Sequence, residues 1–273
     1  MEYFELNNGV KIPVIGYGTY LTSPRMTEKS VSTALEAGYR LIDTAQNYGN
    51  EHEVGAAIKK SGINRSEIFV TSKTQTSGYR STKAGIDASL DAAGLDYFDL
   101  MIIHWPNGND LETYHALEDA YQEGKLRAIG LSNFNHLQVQ EIIKNSQIMP
   151  AIDQIETHLR WQQWGMHEFL AQNNILHEAW APLEEGSGSV IGNETLKQIG
   201  AKYGKSAAQV MLRFYVQEHI LAIPKSLNPQ HVKDDIDIFD FNLTEDELKM
   251  IKAEDQKSSE SGWPTSMMME EKY

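Results

Sequence analysis

Phe98-Asp99-Leu100-Met101-Ile102-Ile103 runs without a break into His104, and other short apolar stretches of the chain end in the same manner. Upstream, Tyr39-Arg40-Leu41-Ile42 runs into Asp43, and Glu67-Ile68-Phe69-Val70-Thr71-Ser72 runs into Lys73. Downstream, Arg127-Ala128-Ile129-Gly130-Leu131 leads to Ser132-Asn133, and Ala151-Ile152-Asp153 leads to Gln154. Short runs rich in Ile, Val and Leu have the composition of strands buried on both faces of a parallel sheet. Polar residues at the carboxyl ends of such strands stand where a (β/α)8 barrel builds its active site. One ending of this kind would carry little weight. Several in register with one architecture predict a single site.

The segments between the runs read as helices. Stretches 28–37, 51–60, 81–93 and 111–123 are followed by Gly38, Gly62, Gly94 and Gly124, as left-handed C-caps require. Further helices are predicted over 135–145, 163–172, 193–203, 206–217, 229–236 and 244–253, and Thr244 with Glu247 forms a capping box. Strands are predicted over 14–19, where Gly16 and Gly18 allow close approach, and over 175–180 and 220–223. Residues 3–13 read as a hairpin turning at Asn8-Gly9 with positive φ angles. Strand–helix alternation of this kind means a parallel sheet with helical crossovers. The expected fold is α/β: a (β/α)8 TIM barrel with an N-terminal β-hairpin plug, in one domain over 1–273. Residues 257–273 lack periodicity and are expected to be a flexible tail.

Composition narrows the function. A length of 273 residues with 41% hydrophobic content suits one barrel with a sizeable core. A net charge of −14 argues against nucleic acid, which needs a concentrated basic surface. A small anion, which feels only local charge, remains possible. With no cysteine, thiolate catalysis and cysteine metal sites are absent. Met1-Glu2-Tyr3-Phe4-Glu5-Leu6 is not a signal peptide, and no run approaches the ~18 apolar residues of a membrane span. A cytoplasmic location is therefore expected, and the sequons at Asn64, Asn193 and Asn242 read as chance occurrences.

The strand-end residues suit carbonyl chemistry. A phenol with an ordinary pKa of ~10 needs a neighbouring ammonium to act as an acid near neutrality. Tyr48, in the loop just past Asp43, is the candidate acid, and Lys73 the candidate ammonium, with Asp43 keeping Lys73 charged and aimed. His104 would orient a carbonyl or tune Tyr48. None of the four supplies an electron pair, so a hydride carrier is required.

With these residues in place, the chain resembles the aldo-keto reductase family. Asp43-Thr44-Ala45 with Tyr48-Gly49-Asn50-Glu51, Thr71-Ser72-Lys73 and Ile103-His104-Trp105-Pro106 match its catalytic segments. Gly94 to Leu100, Ala128 to Phe134, Gln154-Ile155-Glu156, Trp180-Ala181-Pro182-Leu183 and Ile223-Pro224-Lys225-Ser226 continue the match. It spans roughly residues 3 to 255 in order and is nearest to bacterial members related to 2,5-diketo-gluconic acid reductases.

The resemblance implies a site. Tyr48 would be the acid, activated by Lys73 and Asp43, with His104 orienting the carbonyl. Ser132, Asn133 and Gln154 would hold the nicotinamide carboxamide, and Trp180 would stack on the ring. Backbone from Leu183 to Gly188 would cover the pyrophosphate, and Lys225 with Ser226 would meet the 2′-phosphate of NADPH. Tyr20, Gln75 and Trp105 would line the substrate pocket. The partner would be a small-molecule carbonyl reduced to an alcohol, with no nucleic acid, membrane or metal, and the protein a monomer.

Departures from the family pattern refine these expectations. An Arg that many relatives use on the 2′-phosphate is His231 here, and the Glu-Asn pair that meets adenine is Asp234-Asp235. NADPH is expected to be preferred, with NADH as a weaker alternative. Gln75 and Tyr20 replace pocket tryptophans, which favours small polar carbonyls, dicarbonyls or keto-sugars. Simpler roles compete: Asp43 and Lys73 as a structural ion pair, Ser132 and Asn133 as caps of the next helix, Trp180 as core. His52, His136, His158 and His177 read as structural. The rival functions are a non-catalytic barrel that senses nicotinamide cofactor and a metal-dependent barrel hydrolase.

Overall fold

Strands β1 (Tyr3–Glu5) and β2 (Lys11–Pro13) pair antiparallel, with Phe4 opposite Ile12, in the computed structural model of the chain. The structure describes residues 1–186, 188–259 and 261. The turn is wider than a two-residue Asn-Gly hairpin. Leu6 N–H donates to Val10 O at 2.9 Å, and of the expected pair only Gly9 takes a positive φ, at 82°. Asn8 acts through its side chain instead: Nδ2 donates to Arg127 O at 2.9 Å while Oδ1 accepts from Val10 N at 3.2 Å. Asn7 Nδ2 likewise donates to Pro150 O at 2.8 Å. Arg127 and Pro150 each lie just ahead of a barrel strand, so the hairpin is fastened to the amino-terminal end of the barrel. There Leu6 and Ile12 pack with Leu41, Leu100, Ile102, Ile152 and Leu221, closing the interior from below.

Among the described residues, eight parallel strands follow in sequence order around one sheet. They are β3 (Tyr17–Gly18), β4 (Leu41–Asp43), β5 (Phe69–Thr74), β6 (Leu100–Ile103), β7 (Ile129–Ser132), β8 (Ile152–Glu156), β9 (Leu176–Trp180) and β10 (Ile220–Ala222). Gly16 N–H donates to Ala222 O at 2.9 Å and Gly18 N–H to Pro224 O at 3.0 Å, which brings the first strand against the last and closes the ring. A side chain at Gly16 would put its Cβ 2.6 Å from Leu41 Cγ, so glycine is what lets this seam form. Between the strands run α1 (Pro24–Ala37), α2 (Glu51–Ser61), α3 (Tyr79–Ala93), α4 (Asp110–Gln122), α5 (His136–Asn145), α6 (Trp164–Gln172), α7 (Ser189–Gly192), α8 (Glu194–Tyr203) and α9 (Ala207–Gln217), and α10 (Pro229–Ile236) and α11 (Glu245–Lys252) follow the last strand. Their apolar faces and the outer sheet face form the larger core, which includes Val31, Ile86, Leu117, Ile142, Leu170 and Phe214.

The differences from expectation are local. Helix α1 begins at Pro24 rather than near residue 28, because proline fits a first turn whose N–H groups have no helical partner anyway. The first strand shortens from 14–19 to two residues, although single hydrogen bonds continue it. The four-residue α7 is too short to leave a periodic signal. At the end of the chain, Gln256 and Ser258 N–H both donate to Arg160 O at 3.1 Å, and Ser259 Oγ donates to Glu156 Oε2 at 2.7 Å. Beyond Ser261 the expected flexible tail lies outside the described residues. Among those described, no helix is long and apolar enough to cross a membrane.

Candidate active site

Asp43 closes β4, Lys73 lies near the end of β5, and His104 follows β6 directly, so the three side chains meet at the carboxyl rim of the barrel. Lys73 is 1% exposed. Its Nζ donates to Asp43 Oδ1, to Thr44 O at 3.0 Å and to Tyr48 Oη at 3.3 Å. Tyr48 is carried by a single 3-10 turn, Gln46–Tyr48, that Gly49 ends at a φ of 65°. Buried Asn50 fixes this loop. Its Nδ2 donates to Thr19 O and Thr22 O, each at 3.1 Å, and its Oδ1 accepts from Thr44 Oγ1 at 2.8 Å. The His104 ring meets Tyr48 edge-on at 5.7 Å between centroids.

Burial and charge set the protonation states. Burial alone would lower Lys73, but Asp43, Tyr48 and Glu178 outweigh it and hold the ammonium above its ordinary range. His104 is pushed down to about 3 by burial and by the Lys73 charge, so its imidazole is neutral. Tyr48 departs from the sequence expectation. Lys73 does pull the phenol down, but burial pushes harder and Asp43 adds to it, leaving Tyr48 above the ordinary phenol value. Tyr48 is therefore fully protonated at neutral pH, and the ammonium's effect is felt when the proton leaves.

A second cluster forms the adjoining wall. Ser132 Oγ donates to Gln154 O at 2.7 Å, and Asn133 Nδ2 to His104 O at 3.0 Å. Gln154 Nε2 donates to Asp43 Oδ2 at 3.0 Å, which ties this wall to the ion pair. Asn133 holds a left-handed φ of 64°, and its Oδ1 accepts from Trp180 Nε1 at 2.8 Å. The indole is thus anchored by its edge. Asn135, not Ser132 or Asn133, caps α5, so the capping alternative for those two residues has no support.

The wall continues into a cavity of about 1310 Å³, more than the ~300–1,000 Å³ usual for one drug-sized ligand. Its lining brings Tyr20, Tyr48, His104 and Trp105 together with Lys225, Ser226, His231, Asp234 and Asp235. On the same wall, the loop through Ala181, Glu184, Glu185, Gly186 and Gly188 takes positive φ, and it folds on itself, with Glu184 N–H donating to Ala181 O at 2.8 Å and Gly186 N–H to Leu183 O at 3.2 Å. Buried His158 secures this loop, with Nε2 3.1 Å from Glu156 Oε1 and Nδ1 3.1 Å from Glu184 Oε1. Burial opposes its charge, yet the two carboxylates push it up to about 9. Beside Lys225, Tyr17 Oη donates to Ser226 O at 2.7 Å. Burial, with Asp234 beside it, pushes Asp235 up to about 7, so the two acids weaken the local positive field less than their formal charge suggests.

Most of the residues singled out in the sequence converge here, with two exceptions. Gln75 is exposed beyond β5, where its N–H donates to Gln46 Oε1 at 2.7 Å, and it is not on the cavity wall. Gly188 adjoins the wall formed by Leu183, Glu185 and Gly186 without being part of it. Sequence reasoning missed Asn50, Asn47, Leu21 and Ile191, which sit on loops or helix faces without a strand-end signal. It also missed Glu178, which sits beside His177 in the middle of a strand rather than at its end. Among the described residues, no three His, Cys, Asp or Glu side chains are placed to hold a metal.

The amide donors, the anchored indole and Lys225 on the wall of one large cavity are groups that can hold a nicotinamide cofactor. The model of the aldo/keto reductase family matches residues 14–256. An aldo-keto reductase of Mycobacterium sp. (strain JLS) is 40% identical over 253 residues, 91% of each chain. A glyoxal reductase of Bacillus subtilis (strain 168) is 41% identical over 253 residues, again 91% of each. The crystal structure of an aldo-keto reductase enzyme from a Medee basin deep-sea metagenome library superposes with a TM-score of 0.92 at 41% identity, covering 94% of this chain and 96% of that one.

Proposed function

The chain belongs to the aldo/keto reductase family of nicotinamide-dependent oxidoreductases, and from that premise we propose that it reduces small polar aldehydes, ketones, dicarbonyls or keto-sugars with NADPH, using Tyr48 as the general acid. The observation that carries this reading is Lys73 Nζ, which reaches both Asp43 and Tyr48 Oη beside the neutral His104. A bound reduced nicotinamide supplies the hydride. As charge builds on the carbonyl oxygen, Tyr48 gives it a proton and Lys73 stabilises the phenolate left behind. A neutral imidazole offers one N–H to the same oxygen without competing for the proton. Tyr20, 5.1 Å from Tyr48 between ring centroids, and Trp105 narrow the mouth around the carbonyl. The relative named as a glyoxal reductase supports small dicarbonyls as the substrate class. We place the protein in the cytoplasm as a monomer of one barrel domain. The test is a panel of carbonyls with each coenzyme: methylglyoxal and keto-sugars should outrun bulky aromatic or steroid ketones, and a reversed order would refute the substrate class.

Trp180, anchored through Asn133, is assigned to the nicotinamide face. NADPH should quench much of the indole fluorescence, and Trp180→Phe should remove most of that signal. Coenzyme affinity should fall only modestly, since aromatic stacking is worth ~0.5–1.5 kcal/mol beyond burial. Unchanged quenching in Trp180→Phe would shift the reporter role to Trp105.

Lys225 and Ser226 are assigned to the 2′-phosphate, with His231 on the same exposed rim. An arginine in place of His231 can make a bidentate, charge-assisted contact that an imidazole cannot. Hydrogen bonds to charged groups contribute ~1.5–3 kcal/mol, and exposure favours the lower end. His231→Arg should therefore tighten NADPH about tenfold and leave NADH nearly unchanged. Equal tightening of both coenzymes, measured by titration, would place His231 away from the phosphate.

A further inference from the structure

Glu178 lies in the middle of β9, in register with Gln154 of β8, and is completely buried. Neither of its carboxyl oxygens meets a donor in full hydrogen-bond geometry, although the Gln154 side chain bears on it. Gln154 commits its Nε2 to Asp43, and Asp43 commits its other oxygen to Lys73. Glu178 therefore stands behind a chain of groups that ends at Tyr48. The charged and polar groups bearing on it are Asp43 from β4, Lys73 from β5 and Gln154 from β8. On its other side β10 offers Leu221. His104, after β6, reaches the set through the Lys73 charge.

A buried carboxyl so poorly partnered is costly, and the barrel interior nearby is filled by Ile102, Ile152 and Leu221, so packing alone would favour an apolar residue here. Burial pushes Glu178 up to about 8 and Asp43 pushes the same way, against the pull of Lys73 and Gln154. At neutral pH the residue is accordingly a neutral acid.

We propose that Glu178 is a positioning residue for proton donation, a neutral carboxyl whose ionisation would turn the Lys73 charge away from Tyr48. The sign follows directly. A negative charge at Glu178 competes with the Tyr48 phenolate for the Lys73 ammonium. The phenolate becomes harder to form, so proton donation slows as pH rises through the ionisation of Glu178. Reduction should consequently have an alkaline limb that begins before Tyr48 itself loses its proton.

This inference rests on Tyr48 being the acid. The test is Glu178→Gln, which keeps the shape and polarity but cannot ionise. Single-turnover NADPH oxidation with methylglyoxal is measured from pH ~6.5 to pH ~9.5 in each enzyme, which spans ordinary values shifted by burial. The wild-type rate should fall about tenfold across this range, one pKa unit of lost stabilisation. The variant, normalised to its own value at the acid end, should fall less than threefold. Parallel profiles would overturn the proposal, even if the variant is slower throughout. Tyr48→Phe, run alongside, separates the two readings. Retained turnover in that variant sinks the acid assignment and this proposal with it. A dead Tyr48→Phe with parallel Glu178 profiles sinks only the proposal. Should Glu178→Gln not fold, wild-type protein carrying 13C-carboxyl glutamate decides the matter: one glutamate should titrate above neutrality, and none doing so would overturn the assignment.

Discussion

Tyr48→Phe is expected to lower carbonyl turnover by ~10²–10⁴-fold, the usual contribution of a general acid, while NADPH binding stays close to wild type. The substitution removes the hydroxyl that Lys73 reaches at 3.3 Å and keeps the ring that packs edge-on against His104. The loop itself should survive, because Asn50 holds it through Thr19, Thr22 and Thr44 rather than through the phenol. The loss should therefore fall on turnover, with the fluorescence titration unchanged. Turnover within a few-fold of wild type would remove Tyr48 from the chemistry.

Lys73→Met should be equally damaging to turnover and should also weaken the fold. Without the ammonium, burial and Asp43 both oppose the phenolate, so Tyr48 becomes a still poorer acid. Asp43 is 2% exposed and, among the described residues, would keep only the Gln154 donor on its side chain. Removing one partner of a buried ion pair costs ~3–5 kcal/mol because the other charge is left uncompensated. Urea unfolding should show a loss of that order, and Asp43→Asn combined with Lys73→Met should recover part of it while activity stays lost. A variant that is stable, binds NADPH poorly and turns over at the wild-type rate would assign Lys73 to coenzyme binding instead.

The barrel was legible because its signal is repetitive: apolar runs ending in polar residues, separated by helical stretches closed with glycine. Asp43, Lys73 and His104 were legible for the same reason, since each sits where a strand stops. Tyr48, a loop tyrosine with no periodic context, was read from its place just past Asp43 and from the need for an acid beside Lys73, and the family resemblance added to that reading. What stayed hidden depends on long-range contacts. Asn50 looks like any loop asparagine until Thr19 and Thr22 are seen to accept its amide. Glu178 reads as one of two adjacent polar residues, with His177, within Ile175 to Trp180, and only the register with Gln154 places it behind Asp43. Gln75 erred in the other direction. Its position two residues past Lys73 suggests a pocket wall, yet the bond to Gln46 holds its backbone where the side chain faces solvent. The direction of the Tyr48 shift was also beyond the sequence, since the ammonium could be inferred from residue types but the extent of burial could not.

The Asp43, Tyr48, Lys73 and His104 cluster is proposed to complete a hydride transfer to a carbonyl carbon. The most direct measurement uses NADPH deuterated at the transferring position of the nicotinamide, incubated with methylglyoxal and the wild-type protein, with the product examined by mass spectrometry and NMR. The expected result is one alcohol formed for each NADPH oxidised, with deuterium on the former carbonyl carbon and none on oxygen after exchange in water. Saturable NADPH binding without oxidation, across methylglyoxal and the wider carbonyl panel, would contradict the account and favour a barrel that only senses the coenzyme.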